Sequence, residues 1–213
     1  MFYETAKGDH GLPRNPFKAC VVPRPIGWIT SQDAQGRVNL APYSFFNAVA
    51  DDPPQVVFAS NGTKPAMEGR SEEGPKDSVA NVEETGAFVA NLATWDLRWE
   101  MVKTSAPLAH GEEEAAFAGL ELLPSRLVAP PRVAAAPIHL ECRLIQVVDL
   151  PCGTPGHRNA LVIGEVVGIH IDDGLLVEGR VDLTKAKPIA RLGYLDYAAV
   201  TEVFAMARPK GAG

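Results

Sequence analysis

The stretch that decides the fold is Arg24-Pro25-Ile26-Gly27-Trp28-Ile29-Thr30-Ser31, followed by Asn39-Leu40-Ala41-Pro42-Tyr43-Ser44-Phe45-Phe46-Asn47. Both halves have the apolar, β-branched and aromatic content of strands, and residues 32–36 between them suit a hairpin loop. Pro25 and Pro42 cannot donate to a ladder, so each marks an edge, a bulge or a bend. Backbone groups left unpaired there need other partners, and a flat heterocycle, a dry turn or a subunit contact would each satisfy them.

The rest of the chain continues a mostly β pattern. Residues rich in Val, Ile, Phe and Thr, separated by Gly, Pro, Asn or Asp, predict strands at 26–31, 38–45, 55–60, 87–92, 138–148, 161–171 and 175–177. Long antiparallel hairpins and few βαβ spacings favour a barrel over a doubly wound sheet. The 213 residues predict one domain, spanning 1–213 with its core at about 15–205.

Composition and charge narrow the class of protein. Hydrophobic residues make up 46% and charged residues 22%, a globular balance, and the net charge of -6 argues against a nucleic-acid partner. No apolar run approaches the roughly 20 residues that cross a bilayer, and the first residues lack a signal-peptide pattern. Three cysteines without a CxxC pair favour reduced thiols. A cytoplasmic protein without membrane attachment is therefore expected.

Three short helices are predicted. Asp77 or Ser78 would cap the first, which ends at Glu84 before Gly86, and Asp96 would cap the second. Residues 112–114, all Glu, would begin the third as a solvated first turn rather than as a metal site. The first helix start also suits an anion, because Lys76 adds charge and Ser78 a hydroxyl to the free N–H groups. An ordinary capped helix with an exposed lysine is the alternative.

The opening stretch resembles the signature of the flavin reductase-like, FMN-binding split-barrel family. Further matching motifs follow in the expected order: Pro53, Val56-Val57-Phe58, Lys76-Asp77-Ser78, Asn81, Gly86-Ala87-Phe88-Val89-Ala90-Asn91, Gly164-Glu165-Val166-Val167, Arg191-Leu192-Gly193 and Tyr197. Together they cover most of residues 20–200. The resemblance implies a split, Greek-key-like antiparallel β-barrel with a few short helices.

The resemblance also implies a cofactor, FMN in preference to FAD, lying along the first two motif strands. The residues it assigns to this cofactor are Arg24, Trp28, Ile29, Thr30, Ser31, Ala41, Pro42, Tyr43, Ser44, Asn47, Ser60, Asn61, Lys76, Asp77 and Ser78. Asp77 would cap the helix and face away from the phosphate, since its carboxylate would repel it. The alternative for Trp28 is a core aromatic, and at least one of Phe45 and Phe46 should be plain core.

Candidate catalytic and metal-binding residues are few. None of the five histidines forms HExxH or has a cysteine at zinc spacing, so no metal is expected. His139 and His170 lie in strand patterns and are predicted to be structural. His157, in the loop after Gly156, is the candidate to reach a cofactor edge or a nicotinamide. The glycines from Gly62 to Gly74 predict a surface loop that covers a cofactor or has no role.

The resemblance implies an oxidoreductase in which NAD(P)H reduces FMN and the electrons pass to free flavin, ferric iron or a small organic molecule. A flavin-binding or electron-carrying module without reductase activity is the second interpretation, and a structural barrel without a cofactor the third. No GxGxxG or Walker loop is present, so NAD(P)H would bind without a Rossmann unit. Relatives of this type imply a homodimer, with Tyr194 and Tyr197 as candidates for the partner's site. Pro-broken barrel edges that need cover support this expectation.

Overall fold

The computed structural model describes residues 1–63, 74–108 and 112–209. These residues are mostly β. The described strands are β1 (Arg24–Pro25), β2 (Gly27–Gln32), β3 (Val38–Tyr43), β4 (Phe46–Asp51), β5 (Pro54–Asn61), β6 (Ala87–Leu92), β7 (Leu122–Leu123), β8 (Arg132–Val133), β9 (Ile138–Leu150), β10 (Asn159–Ile171), β11 (Leu176–Val177), β12 (Arg180–Val181), β13 (Ile189–Arg191) and β14 (Tyr197–Ala199). The described helices are α1 (Phe17–Cys20), α2 (Asp77–Thr85), α3 (Arg98–Lys103), α4 (Glu114–Ala118) and α5 (Leu183–Ala186), with a 3-10 turn at Asp173–Leu175.

Seven strands form one antiparallel sheet in the order β3-β2-β6-β9-β10-β5-β4. Its two outermost strands, β3 and β4, are consecutive in the chain. The sheet therefore curls until its two edge strands are joined through the bend at Ser44 and Phe45, and the Ala59 amide donates to the Phe45 carbonyl at 2.8 Å, which extends the β4–β5 pairing into this bend. This is a barrel that closes at a chain bend rather than along a full ladder. It confirms the predicted mostly β, split-barrel fold.

The bend at Ser44 and Phe45 corrects the predicted strand 38–45, because β3 ends at Tyr43 and β4 is a separate strand. A close contact between Phe46 and Gly27 accompanies this bend. Phe46 lies against Gly27, where a built Cβ would come within 2.5 Å of the phenyl ring. The freedom of approach that Gly27 provides is therefore used by this chain's own side chain. Pro42 does lie on an edge strand, as predicted.

The barrel interior and one outer face carry separate apolar clusters. Inside, Phe58 contacts Tyr43 and Phe88 at ring-centroid distances of 4.9 and 5.2 Å. Outside, Trp28, Leu40, Met101 and Val133 pack together beneath α3 and α4. Neighbouring residues of β2 and β3 serve opposite clusters because strand side chains alternate between the faces.

The helices are where the predicted ends are least accurate. Lys76, and not Asp77 or Ser78, occupies the N-cap position of α2 and makes no side-chain capping bond. Asp96 does not cap α3, whose N-cap is Leu97. Gly86 does end α2, in the left-handed conformation that glycine favours.

Three further findings come from the described residues. None of their helices combines the length and the apolarity needed to cross a membrane. Within the same ranges, no group of three or more His, Cys, Asp or Glu side chains is placed to hold a metal ion. Of the predicted loop between Gly62 and Gly74, residues 64–73 lie outside the described ranges.

Candidate functional site

Two adjoining cavities open where the barrel closes. The first, which we call the helix-end cavity, has a volume of about 350 Å³ and lies between the start of α2 and the end of β3. The second, which we call the arginine cavity, has a volume of about 700 Å³ and extends towards β1 and β13. Pro42, Ser44, Lys18 and Ser105 line both. The cavities therefore form one groove along the end of β3 and the start of the bend.

The helix-end cavity is lined by the start of α2, with Lys76, Asp77 and Ser78. The first turn of a helix presents N–H groups without intrahelical partners and the positive end of the helix dipole. Burial, and then the charge of Lys18, lower the pKa of Lys76 below its ordinary value. Two cations close together in a partly buried site disfavour each other, so an anion bound between them would be stabilised.

Hydroxyl and amide groups hold the back of this cavity in place. The Asn39 Nδ2 donates to Ser78 Oγ at 2.7 Å. The Tyr43 hydroxyl is hydrogen-bonded to Ser78 and Ser60, and burial raises its pKa to about 12. Tyr43 therefore remains a neutral donor over the physiological pH range. The network fixes Ser78 at the helix start.

The prediction of a solvated first turn at residues 112–114 holds for Glu112 and Glu113, which are exposed, and is wrong for Glu114, where α4 begins. Glu114 is buried, lines the helix-end cavity, and its Oε2 accepts from the Leu40 amide at 3.1 Å. The carboxylate thus ties the start of α4 to β3.

The predicted site residues divide into two groups. Nine of them line the groove: Arg24, Ala41, Pro42, Tyr43, Ser44, Asn61, Lys76, Asp77 and Ser78. Six lie outside its lining: Trp28, Ile29, Thr30, Ser31, Asn47 and Ser60. Asp77 lines the same cavity as Lys76, and its predicted orientation away from a phosphate stays a prediction. The assignment of either group to a cofactor stays a prediction.

Trp28 lies in the outer apolar cluster, fully buried, and its Nε1 donates to Thr104 Oγ1 at 2.9 Å. This is the core-aromatic alternative. Thr30 and Ser31 are also fully buried and accept hydrogen bonds from Asn91 at 2.6 Å and Asn81 at 3.2 Å. Trp28, Thr30 and Ser31 lie on β2, which pairs with β3, and they are not among the residues that line the groove.

Asn47, Ser60 and His157 have different surroundings. Asn47 is exposed on β4, and its Oδ1 accepts from the Ala48 amide at 3.0 Å. Ser60 is buried behind the helix-end cavity with the Tyr43 hydroxyl. His157 is exposed on the β9–β10 loop beside Gly62 and lies outside both linings. Its catalytic role stays a prediction.

The two strand histidines have structural partners, as predicted. His139 Nε2 lies 2.8 Å from the carbonyl of Val133, and His170 Nε2 lies 2.5 Å from Glu141. Glu141 is fully buried and also accepts from the amides of Arg126 and Leu127, at 2.8 and 2.7 Å. Burial alone would raise its pKa, but these hydrogen bonds lower the pKa below its ordinary value.

Sequence reasoning missed several groove residues, among them Lys18, Asn39 and Arg191. Lys18 precedes the matching motifs, and nothing in its local sequence indicates that α1 brings it to β3. Arg191 belongs to the matching motif Arg191-Leu192-Gly193, and that match could have been used to include it among the predicted site residues. Tyr194 and Tyr197 line this chain's own arginine cavity.

The chain is similar in sequence and in fold to known proteins. Residues 19–187 match the model of the flavin reductase like domain family. Nitrilotriacetate monooxygenase component B from Bacillus cereus is 30% identical, covers 92% of this chain and 98% of its own, and superposes with a TM-score of 0.79. The 2-nitrobenzoate 2-nitroreductase of Pseudomonas fluorescens is 28% identical over 100% of both chains, with a TM-score of 0.81. A split-barrel flavin reductase fold from Shewanella frigidimarina matches at 21% identity over 99% and 94% of the two chains, with a TM-score of 0.73.

Proposed function

Because the chain belongs to the flavin reductase-like family, we propose that it is an FMN-binding oxidoreductase that takes its electrons from NAD(P)H. The observation that carries the proposal is the groove in which the start of α2, with Lys76 and Ser78, adjoins the end of β3. The start of α2 suits a phosphate, and the end of β3 suits a flat ring. FMN has both parts in one molecule.

The residues present fit this cofactor. Lys76, Ser78 and Lys18 line one cavity with the helix start, a combination of charge and N–H donors that binds phosphate. The segment from Ala41 to Tyr43 is the end of β3, an edge strand, so one side of its backbone has no neighbouring strand in the sheet, and Ser44 begins the bend that follows. Those groups would face the ring. Bound FMN would supply the redox chemistry, and the protein's contribution is binding and orientation.

The described lining of the groove contains no histidine or cysteine. Hydride transfer to a flavin needs no protein nucleophile, because the cofactor carries the chemistry and the protein binds and orients it. The same lining is compatible with the second candidate function, a flavin-binding electron carrier without reductase activity.

Steady-state oxidation of NADH and of NADPH by FMN-loaded protein separates the two candidates. Turnover with either donor, above that of free FMN at equal concentration, is the result expected for the reductase. Absence of turnover with both donors, by a protein that holds FMN, would contradict the reductase and support the carrier.

The proposed assembly is a homodimer. Trp95, Trp99, Val102 and Leu195 are exposed large apolar residues around a cavity of about 340 Å³, which Arg191 and Tyr197 also line. Exposed apolar clusters of this kind mark interaction surfaces. Since Arg191 and Tyr197 also line the arginine cavity, the cluster adjoins the candidate site, and a second copy there would lie beside it.

A further inference from the structure

The arginine cavity is basic although the chain as a whole is acidic. Lys18, Arg24 and Arg191 line it, and its described lining contains no aspartate or glutamate. The whole chain has a net charge of -6. Cations gathered without a carboxylate in one cavity of such a chain oppose the folded state unless a ligand compensates them.

The pairing of β1 with β13 in the small β1–β13–β14 sheet makes Arg24 and Arg191 neighbours. Arg24 and Arg191 lie directly opposite each other on β1 and β13. Among the described residues, the acceptors of their guanidinium groups are main-chain carbonyls: Lys18, Val21 and Leu192 for Arg24, and Tyr194 for Arg191. Carbonyls are neutral acceptors, so these bonds fix the guanidinium groups without neutralising their charges.

Arg24 shows that this arrangement has a cost. It is 94% buried, since its exposed fraction is 6%, and its Nε is a buried donor without a partner. Burial, and then the charge of Arg191, lower its pKa. An unpaired buried donor and a buried positive charge are both unfavourable. A bound anion would offset the charge and could accept a hydrogen bond from the donor.

Flat and apolar side chains adjoin these charges. The Arg191 guanidinium lies over the Tyr197 ring at 4.4 Å, and Tyr194, Phe17 and Ile26 complete this part of the lining. A guanidinium above an aromatic ring still has N–H groups that can donate to a carboxylate, and the neighbouring apolar side chains can bury a second ring. The cavity volume of about 700 Å³ admits a small ligand beside a flavin.

We propose that the arginine cavity binds a small aromatic carboxylate, with Arg191 as its partner at the carboxylate and Arg24 as a second, buried charge. The placement of this ligand beside a flavin rests on the proposed function. The substrate class assigned to the site is an aromatic ring that carries a carboxylate group.

Calorimetric titration of the FMN-loaded protein with benzoate, benzyl alcohol and inorganic phosphate tests the proposal. Benzoate is expected to bind at least about tenfold more tightly than the neutral alcohol. The reason is that a charge-assisted hydrogen bond contributes at least about 1.4 kcal/mol to the binding free energy, which corresponds to a factor of about ten. It is also expected to bind more tightly than phosphate, which lacks the ring.

Arg191→Gln is expected to weaken benzoate binding about tenfold or more while the protein keeps its visible flavin absorbance. Arg143→Gln, the same change at an exposed arginine of β9, is the matched control and should leave benzoate binding unchanged. Arg191→Lys keeps the charge without the planar fork, and we expect an intermediate affinity. It also serves as the test variant should Arg191→Gln fail to fold.

Equal binding of benzoate and benzyl alcohol, absence of benzoate binding, or phosphate binding as tight as that of benzoate would overturn the proposal. So would loss of FMN from Arg191→Gln, because the arginine would then belong to the flavin site. A wild-type protein that binds no FMN contradicts the proposed function instead. Benzoate binding to that protein, lost in Arg191→Gln, would still support the carboxylate site.

Discussion

At the scale of single residues, the groove depends on charges and hydroxyls whose positions are set by neighbours distant in sequence. Lys76, the N-cap residue of α2, lines the helix-end cavity together with Lys18 of α1, and the charge of Lys18 contributes to lowering the pKa of Lys76. Ser78 is held by Asn39 and Tyr43 of β3. The motif Lys76-Asp77-Ser78 predicted that these residues lie together at the start of a helix, and they line one cavity there; that this cavity binds an anion stays a prediction. The facing residues were not predictable from this motif, because the contacts between α1, β3 and α2 arise only in the folded barrel.

Lys76→Gln removes the charge at the helix start, and we expect FMN affinity to fall about tenfold, the loss typical of a charge-assisted hydrogen bond. Fluorescence titration with FMN at two salt concentrations measures this affinity. The FMN affinity of the variant should also depend less on salt than that of the wild type. Lys103→Gln, at an exposed lysine in the last turn of α3, is the control. Equal affinities in the two variants would contradict the phosphate seat.

Tyr43 gives a prediction at alkaline pH. Its folded pKa of about 12 exceeds the ordinary value of 10.0. Between these values the unfolded chain has lost a proton that the folded protein retains, so stability falls as pH rises through this window. Absorbance titration of tyrosinate should show a late component near pH 12 in the wild type that Tyr43→Phe lacks. A late component that persists in the variant would assign it to another tyrosine.

At the scale of elements, the long strands were the most predictable part of the fold. Residues 87–92 were predicted with the bounds that β6 has, because turn residues flank an apolar run. The prediction for 38–45 missed the break after Tyr43. Apolar and aromatic content continues through Phe46, and only the closure of the barrel requires the chain to bend there. Short strands such as β1 and β13 contain too few residues to show an alternation of apolar and polar side chains, and they form by pairing with strands distant in sequence.

Glu141 makes a testable link between β9, β10 and the segment before β8. Its three hydrogen bonds to Arg126, Leu127 and His170 should make Glu141→Gln less stable by about 2–4 kcal/mol near neutral pH, because an amide cannot accept all three and leaves buried donors unpaired. Urea unfolding measures the difference. Glu121→Gln, at an exposed glutamate, should change stability by less than about 0.5 kcal/mol.

The pH dependence of this effect has a definite sign. Because the folded pKa of Glu141 is lowered, its contribution is present above the unfolded value near 4.5 and is lost as pH falls through the folded pKa. The gap between wild type and Glu141→Gln should therefore narrow in acid. A gap that stays constant or widens there would show that the carboxylate is not stabilised by these bonds.

At the scale of the whole molecule, the proposed dimer brings a second copy to the exposed cluster of Trp95, Trp99, Val102 and Leu195. Light scattering should give twice the chain mass of 22.8 kDa. Trp99→Glu places a charge where the side chain is 64% exposed, and we expect it to shift the protein towards monomer without unfolding it. Phe117→Glu, at a residue 58% exposed on α4, is the control. A monomeric wild type, or the same shift in both variants, would contradict this interface.

The proposed function requires that the groove at the barrel closure holds FMN. The visible spectrum of the purified protein, with mass identification of any flavin released on denaturation, tests this requirement. We expect a flavin spectrum and the mass of FMN, or, for protein purified without flavin, a rise in melting temperature on addition of FMN. A colourless protein whose melting temperature does not respond to FMN would contradict it.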